Sequence, residues 1–312
     1  MRRVLVTGGA GFLGSHVVAA LAARDDVDVV VCGDLRLPRS LPEDALAATL
    51  DVTQPGSVRA VMAEHGIDTV VHLAAIVNPG TLDADAERRV DVDGTRNVLD
   101  AAVAEGVRRI VVSSSGAAYG YHADNAVPLT ESDALRGNDE FTYSRHKRLV
   151  EELLAGYREH HPGLEQVVLR IGTILGPGVD NQITALWEAP RLLRVRGSES
   201  PFVFVWVDDV TGAIVTAATG SATGAFNVAG DGTVTVGQIA AALGKRTLDV
   251  PAAVLAGGLR VAHALRLTVH GPERVGFLRY RPVLDNTRLK TVLGYVPRYT
   301  SREAFDQFLA IR

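Results

Sequence analysis

The first fourteen residues, MRRVLVTGGAGFLG, constrain this chain more than any other stretch. Val4, Leu5 and Val6 form a short apolar run, a glycine-rich turn comes next, and a helical pattern begins at Phe12. Gly8, Gly11 and Gly14 recur every third residue. This is close to, but not the same as, the Gly-x-Gly-x-x-Gly spacing of many dinucleotide sites. A turn without side chains lets backbone N–H groups approach a pyrophosphate, and the helix behind it aims its positive end at that charge. A structural glycine turn reads the same in isolation, so the weight falls on the rest of the chain.

Beyond the turn, strand and helix patterns alternate. Short β-branched runs at 4–6, 27–32, 69–72, 109–113 and 166–171, with a brief one at Leu50, read as strands. Helical patterns lie between them at 12–24, 57–66, 83–106 and 141–161. Strands alternating with helices imply parallel pairing through right-handed crossovers, an α/β doubly wound parallel sheet. After Gly172 the rhythm breaks. A loop at 176–178, a helix running to Leu193, a strand at 202–207, a helix at 210–218 and a strand at 226–228 are expected. The remainder reads as helices with loops, closing at 302–309. The division is a dinucleotide-binding domain over 1–172 and a smaller, irregular C-terminal substrate lobe over 173–312, with some segments interleaved.

Composition removes several classes. At 312 residues and 47% hydrophobic, the chain can bury a large core. A net charge of −4 with no block of Lys or Arg excludes a nucleic-acid footprint. The single Cys32 excludes an internal disulfide framework and points to a reducing compartment. Arg2 and Arg3 before an apolar stretch imitate a secretory leader. Cleavage after Ala22 would delete the best motif in the chain, so the segment reads as retained and the protein as cytoplasmic. The most apolar later stretch, 251–267, is interrupted by Arg260, His263 and Arg266, so no membrane span is expected. No metal-ligand cluster stands out, and His160-His161 read as helix-end residues.

The chemistry-bearing residues fall at strand ends. Asp34 comes 26 residues after Gly8, where a carboxylate can accept both hydroxyls of an adenosine ribose. That favours NAD over NADP, although Arg36 and Arg39 keep NADP open. Asp51 is placed to meet the adenine amino group, and the small Ala74 and Ala75 to let backbone approach a cofactor. Tyr143 and Lys147, four apart, share one helix face. An ammonium there favours phenolate and can hold a nicotinamide ribose. Tyr143 could then exchange a proton with a substrate oxygen while hydride moves at carbon, with Ser115 donating to the same oxygen. A solvated Tyr–Lys pair is the commoner meaning of this spacing alone. Asp208-Asp209, just before a helix, read as N-capping.

Taken in order, these stretches resemble the extended short-chain dehydrogenase/reductases of the NAD-dependent epimerase/dehydratase type. The resemblance rests on 7–14 (TGGAGFLG), 72–75 (HLAA), 94–99 (GTRNVL), 113–120 (SSSGAAYG), Tyr143 to Lys147, 169–178, 207–210 (VDDV) and 226–228 (FNV). It implies a Rossmann-type fold and NAD as cofactor. It implies that Gly8, Gly11, Phe12, Leu13 and Gly14 line the pyrophosphate, with Leu73, Ala74 and Ala75 beside the cofactor. Asp34 would hold the ribose, Asp51 with Val52 the adenine, and Ser115, Tyr143 and Lys147 the chemistry. It also implies a homodimer paired through the helices at 83–106 and 141–161.

Four departures stand out. Asp91 replaces a frequent Asn, and His146 a frequent Ser before the lysine; neither falls on the core chemistry. Thr173 stands where nucleotide-sugar members place Asn, and Phe202 where they place a diphosphate-clamping Arg. Arg194, Arg196, Arg279 and Arg281 are the substitutes on offer. The expectation is an NAD(P)-dependent oxidoreductase acting at a secondary alcohol or ketone of a small molecule. The alternatives are a nucleotide-sugar 4-epimerase or dehydratase, which two arginines converging near Thr173 and Phe202 would favour, and a non-catalytic dinucleotide sensor.

Overall fold

A computed structural model describes residues 1–38, 40–77, 83–179, 181–268 and 271–311, so Arg39 lies outside the described residues. The strands are β1 (Arg2–Thr7), β2 (Val27–Asp34), β3 (Ala45–Thr49), β4 (Thr69–His72), β5 (Arg109–Ser115), β6 (Glu165–Ile171), β7 (Thr173–Leu175), β8 (Arg191–Val195), β9 (Phe204–Trp206), β10 (Gly224–Val228) and β11 (Arg246–Val250). The first helices are α1 (Phe12–Ala22), α2 (Pro55–His65), α3 (Ala84–Arg88), α4 (Gly94–Ala104) and α5 (Thr142–His160). The later ones are α6 (Gln182–Ala185), α7 (Val207–Thr219), α8 (Val236–Ala242), α9 (Ala252–Ala264), α10 (Arg274–Arg279) and α11 (Ser301–Ala310).

Seven strands form one sheet in the order β10-β6-β5-β4-β1-β2-β3, and every pairing is parallel. Successive side chains on a strand point to opposite faces. Val4 and Val6 therefore pack with Val17, Leu21, Val210 and Ile214 of α1 and α7. Leu5, between them, packs on the other side with Val58, Val98 and Leu154 of α2, α4 and α5. A strand buried on both faces must be apolar throughout, which is why β1 carries an unbroken Val-Leu-Val run. The strand order reverses direction beside β1, and that switch point opens a crevice at the carboxyl ends of β1 and β4. A third core, built on Trp187, Phe202, Phe204, Phe305 and Phe308, supports the far side of that crevice.

Several expectations need correction. The third strand lies at Ala45–Thr49, with Leu50 buried just past its end; this alanine-rich edge strand lacks the apolar alternation that marks the others. The expected helix to Leu193 is only α6, and Arg191–Val195 is instead β8, paired with β11. β11 in turn falls where helices with loops are expected. Both strands get their order from each other, across more than fifty residues, rather than from local pattern. The long helix at 83–106 is interrupted by a π-helical turn at Arg89–Asp93. Asp208-Asp209 do not cap α7, because Trp206 holds the cap position. Fully buried Asp209 instead accepts hydrogen bonds from Arg298 N (2.8 Å) and Tyr295 Oη (3.0 Å), tying the C-terminal segment down.

Candidate active site

The crevice is a cleft of about 1090 Å³. That is just above the roughly 300–1,000 Å³ of small-molecule sites, room for more than one ligand. Gly8, Gly11, Phe12, Leu13 and Gly14 form its floor. Asp34, Asp51 and Val52 line one wall, and Leu73, Ala74 and Ala75 the other. Ser115, Tyr143 and Lys147 stand beyond them. All the residues singled out from the sequence for cofactor and chemistry thus share one cavity.

Two glycines on the floor are sterically required. Gly8 has φ +71°, and a Cβ there would meet Ala74 N at 2.8 Å. A Cβ on Gly14 would sit 2.1 Å from Gly8 O, so the turn and α1 touch backbone to backbone. The N-cap of α1 is Gly11, with no side-chain cap and no acidic residue in the first turn. The orphan N–H groups of that turn are left for an anion in the cleft. Asp34 closes the loop by accepting from Ala10 N (3.1 Å) and Arg36 N (3.3 Å). Asp51 is held by Thr53, whose N (2.9 Å) and Oγ1 (2.7 Å) donate to one carboxylate oxygen.

The catalytic candidates are fixed by the end of β5 and the start of α5. Ser144 Oγ donates to Ala117 O (2.7 Å) and accepts from Asn138 N (3.0 Å), locking the first turn of α5 against the segment after Ser115. Ser115 Oγ accepts from Ala117 N (3.1 Å), which leaves its own proton free to donate. Lys147, mostly buried, donates to Ser113 O (2.9 Å). Its Nζ lies 5.6 Å from the centre of the Tyr143 ring. No carboxylate pairs with that ammonium among the described residues, so its charge is available to the cleft.

At the opposite end the cleft is aromatic and cationic. Arg281 is only 9% exposed and lines it, as do Thr173 and Phe202. Its guanidinium carbon sits 3.9 Å from the Phe202 ring centre and 5.0 Å from that of Phe277. Its Nε has no hydrogen-bond partner, and one Nη reaches Leu278 O only at 3.4 Å. Burial pushes its pKa down to about 9, and the neighbouring Arg274 cation adds to the effect. Arg274, also lining the cleft, stacks on Phe277 at 4.4 Å and is likewise lowered by burial. Glu273 accepts from Gly271 N (2.7 Å), and neither arginine forms an ion pair among the described residues. Arg274 is half-buried and feels the neighbouring Glu273 carboxylate, whereas Arg281 is a buried cation with no ion pair among the described residues, which is costly unless a ligand anion completes it.

Of the four arginines offered by the sequence, only Arg281 reaches the cleft. Arg194 pairs with Asp249 near the surface, Arg279 stacks on Tyr280, and Arg196 is exposed. Arg274 was missed, as were Tyr121, Phe141 and Phe277, whose rings meet at 5.1 to 6.0 Å. No local spacing marks them, because long-range packing brings α10 over the cleft.

The family model described as "NAD dependent epimerase/dehydratase family" matches residues 4–229. The chain belongs to that family. It is an NAD-dependent enzyme family of the extended short-chain dehydrogenase/reductase type, as the motif order led one to expect. The uncharacterized protein Rv0501 of Mycobacterium tuberculosis is 27% identical over 98% of this chain and 82% of its own length. The UDP-glucose 4-epimerase of Erwinia amylovora is 30% identical over 58% of this chain and 56% of its own. Among solved structures, the Thermus thermophilus UDP-glucose 4-epimerase in complex with NAD matches with TM-score 0.73 and 27% identity. It covers 99% of this chain and 100% of that one. The Thermotoga maritima UDP-glucose 4-epimerase, at 23% identity and TM-score 0.76, shares the fold over 99% of this chain and 98% of its own.

Proposed function

We propose that this protein uses NAD to move hydride at a secondary alcohol or ketone carbon, with Tyr143 as acid and base. The observation that supports this is that Ser115, Tyr143 and Lys147 line the same cleft as the glycine turn, with Lys147 Nζ 5.6 Å from the Tyr143 ring centre. The residues present fit the cofactor. The floor is a cradle that a Cβ on Gly8 or Gly14 would fill, and the first turn of α1 is uncapped. Gly8, Gly11, Phe12, Leu13 and Gly14 would hold the pyrophosphate, Asp34 the adenosine ribose, and Asp51 with Val52 the adenine. Leu73, Ala74 and Ala75 would flank the cofactor. Asp34 opposes a 2′-phosphate, which favours NAD over NADP. NAD, when bound, supplies the hydride acceptor and donor.

Lys147, held by Ser113 O, would bind the nicotinamide ribose and keep a positive charge beside the Tyr143 ring. Tyr143 Oη takes the proton of the substrate hydroxyl as its carbon is oxidised, and returns it in the reverse sense. Ser115 Oγ donates to the same oxygen. The retained Tyr–Lys pair argues against a non-catalytic sensor.

A second observation favours one substrate class. Arg274 and Arg281 both pack on the Phe277 ring, and Arg281 also packs on Phe202 in the cleft that Thr173 lines, where an anion would complete Arg281. A nucleotide diphosphate sugar supplies such an anion and a secondary hydroxyl together. This supports the 4-epimerase or dehydratase form of the reaction, in which hydride leaves and returns within one turnover. The similar UDP-glucose 4-epimerases point the same way. The reading includes the division at 172, a homodimer through α4 and α5, and a cytoplasmic location.

The test is incubation of the purified protein and NAD with secondary alcohols, ketones, UDP-glucose, UDP-galactose and dTDP-glucose. Absorbance at 340 nm tracks net redox, and proton NMR tracks the sugars. Sugar conversion without accumulating NADH is expected. Absence of any thermal shift with NAD and with every diphosphate sugar would sink the reading.

A further inference from the structure

Two of the residues that depart from the family pattern are bonded to each other. Asp91 lies at the centre of the π-helical turn Arg89–Asp93, and His146 directly precedes Lys147 on α5. His146 Nδ1 is 2.8 Å from Asp91 Oδ2, with the two residues 1% and 6% exposed. The other carboxylate oxygen, Oδ1, accepts from Ile76 N at 2.8 Å. Ile76 comes directly after Ala74 and Ala75 on the wall of the cofactor cleft. One carboxylate therefore joins the helix carrying Tyr143 and Lys147 to the segment that would lie along the dinucleotide.

The same turn is held from below. Thr95 Oγ1 donates to Asp91 O (2.6 Å), so its lone pair faces His72 Nε2 at 3.0 Å. His72 Nδ1 is then left to accept from Thr7 Oγ1 (2.7 Å). This makes His72 neutral, in keeping with burial, which pushes its pKa down to about 3. A polar thread thus runs from β1, next to the glycine turn, through β4 and α4 to Asp91. His146 continues it to α5.

We propose that Asp91 and His146 are paired positioning residues, a buried clamp that sets the spacing between the Lys147 helix and the Ala74–Ile76 wall of the cofactor groove. The inference rests on the cofactor reading above and deepens it. The donor matters more than the ring. A carboxylate with one oxygen on Ile76 N needs an N–H on the other, and leaving that oxygen unpaired when buried is costly. His146 Nε2 has no hydrogen-bond partner, so the ring makes one useful contact, through Nδ1. An asparagine at 146 places its amide nitrogen where Nδ1 stands, whereas leucine fills the space without a donor.

The experiment compares wild type, His146→Leu, His146→Asn, Asp91→Ala and the Asp91→Ala/His146→Leu double variant. NAD affinity is measured by calorimetry, and amide exchange over 73–77 by mass spectrometry without ligand. His146→Leu is expected to weaken NAD binding about tenfold and to speed exchange at Ile76 about tenfold, the loss of one charge-assisted hydrogen bond. His146→Asn is expected to restore both. The double variant should be no worse than Asp91→Ala alone, since the pair acts as a unit. The clamp is refuted if His146→Leu lowers the melting temperature but leaves NAD affinity and Ile76 exchange at wild-type values. It is equally refuted if Leu and Asn behave alike. If wild type takes up no NAD, the cofactor reading falls, and the exchange comparison still decides the clamp. If His146→Leu fails to fold, Asp91→Ala and His146→Asn carry the same comparison.

Discussion

At the glycine-turn end of the cleft the protein offers backbone: the uncapped N–H groups of α1 and a floor on which Gly8 and Gly14 touch neighbouring main chain. At the other end it offers side chains: buried Arg281 between Phe202 and Phe277, without an ion pair among the described residues, and half-buried Arg274 on the same Phe277 ring. Ser115, Tyr143 and Lys147 stand between the two. The first end is announced by a local glycine spacing after a strand, which the backbone of Ala74 and the Asp34 carboxylate then close. The second exists only because Arg281, just past α10, packs on Phe202, just before β9, from far along the chain. An anion is expected at both ends, met by backbone N–H groups at the first and by the Arg281 guanidinium at the second.

The largest expected effect tests the ground between the ends. Tyr143→Phe should lower kcat about 10²- to 10⁴-fold, the usual worth of a positioned acid–base group, with NAD affinity unchanged by calorimetry. Full activity in this variant would remove the proton-transfer role. Next, Arg281→Met should raise KM for a diphosphate sugar about 10- to 100-fold, the loss of charge-assisted hydrogen bonds. The same variant should melt no lower than wild type without ligand, because the buried cation has no carboxylate partner among the described residues to lose and methionine keeps the packing on Phe202 and Phe277. A drop in NAD affinity instead would show that the two ends are not separate.

A third expectation concerns the thread beneath the glycine turn. His72 is neutral when folded, with its pKa lowered from 6.5 to about 3, so between those values only the unfolded chain takes up a proton. Its stabilising contribution is therefore complete above pH 6.5 and declines as pH falls toward 3, with a limiting slope of about 1.4 kcal/mol per pH unit. Urea unfolding between pH 4 and 7 should show a shallower acid slope in His72→Gln than in wild type. The smallest effect is at Asp34. Asp34→Ser should weaken NAD binding about 5- to 10-fold and narrow the preference over NADP, read from the two dissociation constants.

Much of the cofactor half was legible because its signals are local. An apolar run buried on both faces, a turn that tolerates no side chain, and a Tyr–Lys spacing of one helical turn are all written within a few residues. The substrate half was legible only in outline. Arg281 was one arginine among four candidates, Arg274 was not among them, and β8 and β11 read as helical or irregular. Asp91 and His146 were both visible as departures, yet 55 residues separate them and nothing local links the two.

The sequence by itself determined the parallel sheet, the glycine turn and the one-turn spacing of Tyr143 and Lys147, because periodicity and short spacings act through neighbours along the chain. Tertiary structure alone decided that Arg281 is buried without an ion pair among the described residues, and that Asp91 meets His146. Burial and pairing depend on what long-range packing brings alongside a residue, and the residue's own segment carries no record of it.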